Sequence, residues 1–116
     1  MNAKLKKIFK KYHVLFAIQY GSSLTSKWAE DIDLALYCQK PSQINTWKLY
    51  GELQPFFDRQ LDLIILTNHS NPLLTYEILT KGKVLYMKSL SLFVPIVVTL
   101  WKRYLDTQKF RNLEKQ

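Results

Sequence analysis

The spacing of apolar positions changes period several times along the chain, and each change marks an element. Leu5, Ile8, Phe9 and Tyr12 recur at helical spacing among lysines, so residues 2–12 predict a short amphipathic helix. HVLFAIQY, residues 13–20, is a β-branched and aromatic run closed by Gly21 and predicts a buried strand ending in a turn. A short helical turn is expected through Leu24 and Trp28. DIDLALYC, residues 31–38, alternates: Ile32, Leu34 and Leu36 fall on one face, Asp31, Asp33 and Ala35 on the other. Pro41 and Ser42 open a predicted helix with Ile44, Trp47, Tyr50, Leu53 and Phe57 as its apolar positions. RQLDLIIL, residues 59–66, predicts a third strand. NPLLTYEILTKG has a Pro near its start and Gly82 past its end, as a helix would, and KVLYM predicts a fourth strand. A final helix is expected over about 91–114.

Strands separated by helices define an α/β class with a small, mixed sheet and flanking helices. With 116 residues, no repeat and no linker, a single domain is expected over 1–116, its core at about 14–87 and a long C-terminal helix after it. The 47% hydrophobic content, three glycines and four prolines exclude a disordered chain. One cysteine, Cys38, and two histidines, His13 and His69, exclude a disulfide framework and a zinc cluster; Cys38 reads as a buried thiol. The longest late apolar stretch, Leu90 to Trp101, is about a dozen residues, short of the ~20 a membrane span needs. No membrane association and a cytoplasmic location are therefore expected. The net charge is +8. Lys4, Lys6, Lys7, Lys10 and Lys11 gather at one end, and Lys102, Arg103, Lys109, Arg111 and Lys115 at the other. Solvated helix faces account for many of them, and without a recognition motif nucleic acid is not expected as the direct substrate. Trp28, Trp47 and Trp101 read as core residues, with base stacking the alternative. The last helix is apolar on more than one face, which predicts deep packing, an oligomer contact or a protein interface.

The chemistry lies in the acids. Only nine exist, and Asp31, Asp33 and Asp62 interrupt segments that otherwise read as core strands, where an ionised carboxylate is costly unless it is paired or bound to a cation. Residues i and i+2 of a strand point the same way, so Asp31 and Asp33 can converge on one ion, and Asp62 can join them if its strand is a neighbour. Hard oxygen ligands suit Mg²⁺ or Mn²⁺, and two such ions about 3.5–4 Å apart are the arrangement used in nucleotidyl transfer. Gly21 lets backbone approach a phosphate closely, and Ser22 adds a hydroxyl and an N–H.

The run YGSSLTSKWAEDIDLAL resembles the Gly-Ser turn and paired-Asp signature of the DNA polymerase β-like nucleotidyltransferase superfamily, and QLDLIIL supplies the third aspartate. Small size and the segment YEILTKGKVLY are similar to the minimal nucleotidyltransferase (MNT) antitoxins of HEPN–MNT toxin–antitoxin pairs. The resemblance spans about 14–87. It implies the polymerase β-like fold, contacts from Gly21 and Ser22 to the nucleotide phosphates, Asp31 and Asp33 as Mg²⁺ ligands, and Asp62 assisting deprotonation of the attacking hydroxyl. The arginines common after the Gly-Ser pair are replaced by Ser23, Leu24 and Thr25, and Lys27 is the candidate to supply the missing charge.

The function implied is Mg²⁺-dependent transfer of AMP from ATP to a hydroxyl of a HEPN-type toxin, with tyrosine the favoured acceptor. The alternative is a non-catalytic antitoxin that neutralises its partner by occlusion. The absent arginines favour the alternative; the three retained aspartates oppose it.

Overall fold

The computed structural model describes residues 2–114, and side chains as far as residue 108. Lys115 and the side chains of Lys109 and Arg111 lie outside the described residues. The elements follow the order α1 (Ala3–Lys11), β1 (Val14–Tyr20), β2 (Asp31–Cys38), α2 (Thr46–Leu53), β3 (Gln60–Leu66), α3 (Pro72–Lys81), β4 (Lys83–Met87) and α4 (Leu90–Glu114). One four-stranded sheet runs β3-β2-β1-β4. β1 pairs antiparallel with β2 and β4, while β2 and β3 are parallel, so the sheet is mixed as its pattern foretold.

Alternation sorts side chains between two layers. Ile32, Leu34, Leu36 and Cys38 of β2 and Leu61 of β3 meet Leu5 and Phe9 of α1 and Leu49 and Leu53 of α2. On the other side Phe16, Ile18, Ala35 and Leu66 meet Ile78 of α3, with Phe93 and Ile96 of α4 packed against them. α3 and α4 are held together by the stacked rings of Tyr76 and Tyr104, 4.0 Å between centroids, and by Arg103 donating to the Ser70 carbonyl at 3.0 Å. Across the sheet, α1 is tied to α2 by Glu52, which accepts from Tyr12 Oη and lies 2.7 Å from Lys11 Nζ. Cys38 is buried, and that burial pushes its thiol up to about 12, so it is a packing residue.

The tryptophans depart from expectation. Trp28 and Trp47 are each 86% exposed and Trp101 is 53% exposed, so none is a core residue. For Trp47 the cause is the frame of its helix. Pro41–Gln43 forms a separate 3-10 turn, Ile44 is extended, and the Asn45 side chain accepts from the Lys48 N–H to start α2 at Thr46. A helix starting there buries Leu49 and Leu53, four residues apart, and turns Trp47 outward. On α4 Leu100 is buried, yet Leu90, Val94, Val98, Trp101 and Leu105 form an exposed stripe, so this face of the helix is not deeply packed. No helix among the described residues is long and apolar enough to cross a membrane.

Candidate active site

The C-terminal end of β1 and the N-terminal ends of β2 and β3 lie side by side, and register lines up three residues across them. Tyr20 pairs with Asp33, and Asp33 pairs with Asp62. All three sit on the face that α3 and α4 cover farther along the strands. Here the cover has ended: Asp31 and Asp62 are exposed and Asp33 is half-buried. The expectation of carboxylates sunk in a core is corrected accordingly, since the desolvation cost falls mainly on Asp33.

Burial, followed by the charge of Asp62, a hydrogen bond with it and the charge of Asp31, raises the Asp33 carboxyl above the usual carboxylate range. Burial first, and then Asp33 and Asp62, push the Tyr20 phenol up to about 12, so it is a neutral hydroxyl beside the acids at neutral pH. Among the described residues no set of three or more His, Cys, Asp or Glu side chains is already gathered to hold a metal. What the site offers is a pair of hard oxygen donors, Asp33 and Asp62, side by side in register, with Asp31 on the same face two residues before Asp33. Their mutual repulsion is what a divalent cation would relieve, and the donor set fits Mg²⁺ or Mn²⁺.

Gly21 leaves β1 with φ 80° and ψ −162°, a conformation that favours glycine. A Cβ there would overlap Asp33 Oδ2 and stand 3.3 Å from its Cγ, so the bare backbone of the turn lies directly against the central carboxylate. Ser22–Leu24 then makes one 3-10 turn, with Leu24 N–H donating to the Gly21 carbonyl at 3.2 Å and Ser26 N–H to that of Ser22 at 2.9 Å. Gln19 Nε2 donates to Ser23 Oγ at 3.1 Å and ties the turn to its strand.

Next to the turn is a cavity of about 380 Å³ walled by Tyr20, Gly21, Ser22, Leu24, Thr25, Glu77 and Lys81. Lys27 is exposed and outside these walls. Lys81, absent from the sequence expectation, is the cation in these walls, held 2.7 Å from Glu77 one helical turn earlier. Its position is set by the joint after α3, where a Cβ on Gly82 would collide with Ile18 Cγ2 and the Ile78 carbonyl. The signal was present in YEILTK as an i,i+4 pair at a helix end, but nothing local places that end beside Ser22.

A second cleft, of about 360 Å³, has Asp62 in its wall together with Thr46, Trp47, Tyr50, Gln60, Leu61 and Leu63. Asp62 thus lines this second cleft while its strand register sets it beside Asp33.

A mixed four-stranded sheet with a Gly-Ser turn against aligned aspartates defines a nucleotidyltransferase-type site. The family described as polymerase beta, nucleotidyltransferase matches residues 3–90, and the chain belongs to that family. No curated protein matches the sequence closely enough to count. Solved structures do. A mutant of a toxin–antitoxin complex of MntA with its toxin matches with a TM-score of 0.76 and 20% identity, covering 97% of this chain and 94% of that one. A toxin–antitoxin structure with AMP-PNP matches at 0.74 and 22%, covering 95% and 91%. The complex of tri-AMPylated Shewanella oneidensis HEPN toxin with MNT antitoxin matches at 0.70 and 22%, covering 95% and 88%. The sheet, the flanking helices and the long last helix are the polymerase β-like fold of these proteins.

Proposed function

We propose that this nucleotidyltransferase is the antitoxin of a toxin–antitoxin pair and transfers AMP from ATP to a hydroxyl of a HEPN-type partner, with tyrosine the favoured acceptor. The observation that carries this reading is the row Tyr20, Asp33, Asp62, with the Gly21 backbone packed against its centre. The solved relatives support it: one holds AMP-PNP and another a HEPN toxin bearing AMP. The exposed apolar stripe of α4 fits a protein partner.

In this reading Gly21 and Ser22 receive the triphosphate, and Lys81 swings from Glu77 to balance its charge in place of the arginines absent after the Gly-Ser pair. Lys27 is a second candidate for that role. Asp33 and Asp62, joined by Asp31, would hold Mg²⁺ or Mn²⁺, which when bound supplies charge neutralisation at the phosphates and a lowered pKa at the acceptor hydroxyl. Asp62, in the wall of the second cleft and beside Asp33 in register, accepts the acceptor's proton. Asp33, fixed between Gly21 and Asp62, would act through the cation it holds to position the α-phosphate, where the acceptor oxygen bonds to phosphorus in line as the bond to the leaving pyrophosphate breaks.

Coexpression with the partner and measurement of its intact mass tests the reading. The expected result is one or more AMP adducts, lost with Asp31→Ala and with Asp62→Ala. Tight complex formation and bound nucleotide without any adduct would instead establish neutralisation by occlusion.

Carboxylates facing a triphosphate repel it, so calorimetric titration with ATP is expected to give affinity at least about tenfold higher in Mg²⁺ than in chelator. Equal affinity in both would remove the basis for the aspartate site as a cation site.

A further inference from the structure

β3 is an edge strand, with β2 on one side and, among the described residues, no strand on the other. Its residues, Gln60–Leu66, include neither of the usual guards of an exposed edge, lysine or proline. Leu61 N–H is taken by Gln54 Oε1 at 2.9 Å rather than by β2, so its backbone faces outward. By the alternation of a strand, Leu63 and Ile65 also turn their N–H and C=O groups outward. The cleft beside Asp62 touches Gln60, Leu61, Asp62 and Leu63 in succession. Consecutive strand residues point to opposite faces, so a cleft that meets all four runs along the edge itself. Trp47, 86% exposed, stands at its mouth.

We infer that the acceptor reaches the site as an extended polypeptide segment that adds to the β3 edge, pairing with Leu63 and Ile65 and flanked by Trp47. This rests on the transfer reading above. Geometry favours the acceptor segment as the occupant because Asp62 lies on that same strand. A residue placed opposite it in an added strand has its Cβ about 4.5–5.5 Å from that of Asp62, on the face that carries Asp33. Main-chain pairing then delivers one hydroxyl to the carboxylate, and the aromatic wall holds the segment by stacking and burial.

Leu63→Pro removes the outward N–H at the centre of the edge without touching the ladder to β2, and Leu63→Ala controls for the lost side chain. With the full chain, ATP, Mg²⁺ and the HEPN-type partner, Leu63→Pro is expected to cut AMP transfer at least tenfold below the level of Leu63→Ala, both binding ATP as the unaltered chain does. Hydrogen exchange of the unaltered chain checks the same point if the proline variant does not fold: amides in 60–66 should gain protection when the partner is added. Transfer that proceeds equally in both variants, with exchange in 60–66 unchanged, overturns edge pairing and leaves the AMP-transfer reading standing. Absence of any adduct with protection of 60–66 intact sinks the transfer reading instead, while still supporting segment addition. Protection that grows with concentration of this chain alone assigns the edge to a second copy and overturns the proposal.

Discussion

Asp33→Asn is expected to abolish nucleotidyl transfer, with a loss of about 10²–10³-fold or more, and at the same time to raise the Tm of the metal-free chain by about 2–4 °C. The two effects share one cause. Asp33 is the central carboxylate of the row, half-buried, next to Asp62 in register and repelled by Asp62 and Asp31. A group whose folded pKa is raised costs stability wherever it is ionised in the fold. That cost is complete above the folded pKa and disappears as pH falls through it toward the unfolded value of about 3.9. The asparagine carries no such cost and can still donate to Asp62. The variant's advantage should therefore be largest at neutral pH and close toward about pH 4. Thermal melts of both proteins in chelator between those pH values, together with the adduct assay, check it. A variant less stable at neutral pH, or a gap that does not change with pH, would mean that Asp33 is a structural partner rather than a crowded ligand.

Gly21→Ala should be the most damaging small change outside the aspartates. Alanine at φ 80° and ψ −162° carries backbone strain of about 1–3 kcal/mol, and its Cβ would overlap Asp33 Oδ2. Either the turn or the carboxylate must move. The expected outcome is a Tm lowered by about 5–10 °C and transfer reduced at least about tenfold, with KM for ATP rising because the phosphate turn is displaced. Ser22→Ala, which keeps the backbone path, should cost much less stability. Melting curves and steady-state kinetics on the two variants decide the matter, and an unchanged Tm in Gly21→Ala would show that the turn yields cheaply and does not fix Asp33.

The site was legible where its geometry is local. The i,i+2 spacing of Asp31 and Asp33 within DIDLAL is enough to put both on one face, and the apolar residues between them identify the other face as core. Asp62 was legible only through its setting in QLDLIIL, and its partnership with Asp33 needed the parallel register of β2 and β3. Three features lay beyond a linear reading. Trp47 was misplaced because a single capping residue, Asn45, sets the helical frame, and a shift of that frame rotates every later side chain by about 100° per residue. Lys81 lines the cavity beside the Gly-Ser turn because α3 packs on β1, a contact no local pattern encodes. The exposure of Asp31 and Asp62 depends on where α3 and α4 stop covering the sheet, which is a property of helix placement and not of the strands.

The mixed sheet also orders the assembly of the site in time. β1 and β2 are joined by the short segment 21–30 and pair antiparallel, whereas β3 joins in parallel only after the crossover 39–59 has closed. Loop closure favours the hairpin first, which brings Tyr20, Gly21 and Asp33 together while Asp62 is still distant. A chain arrested at that stage has its Gly-Ser turn, Asp31 and Asp33 but lacks Asp62 beside them. On the proposed reading, the Asp33–Asp62 pair forms only with the docking of the outermost strand, so a chain with β3 detached is expected to be inert even when the rest of its sheet is in place.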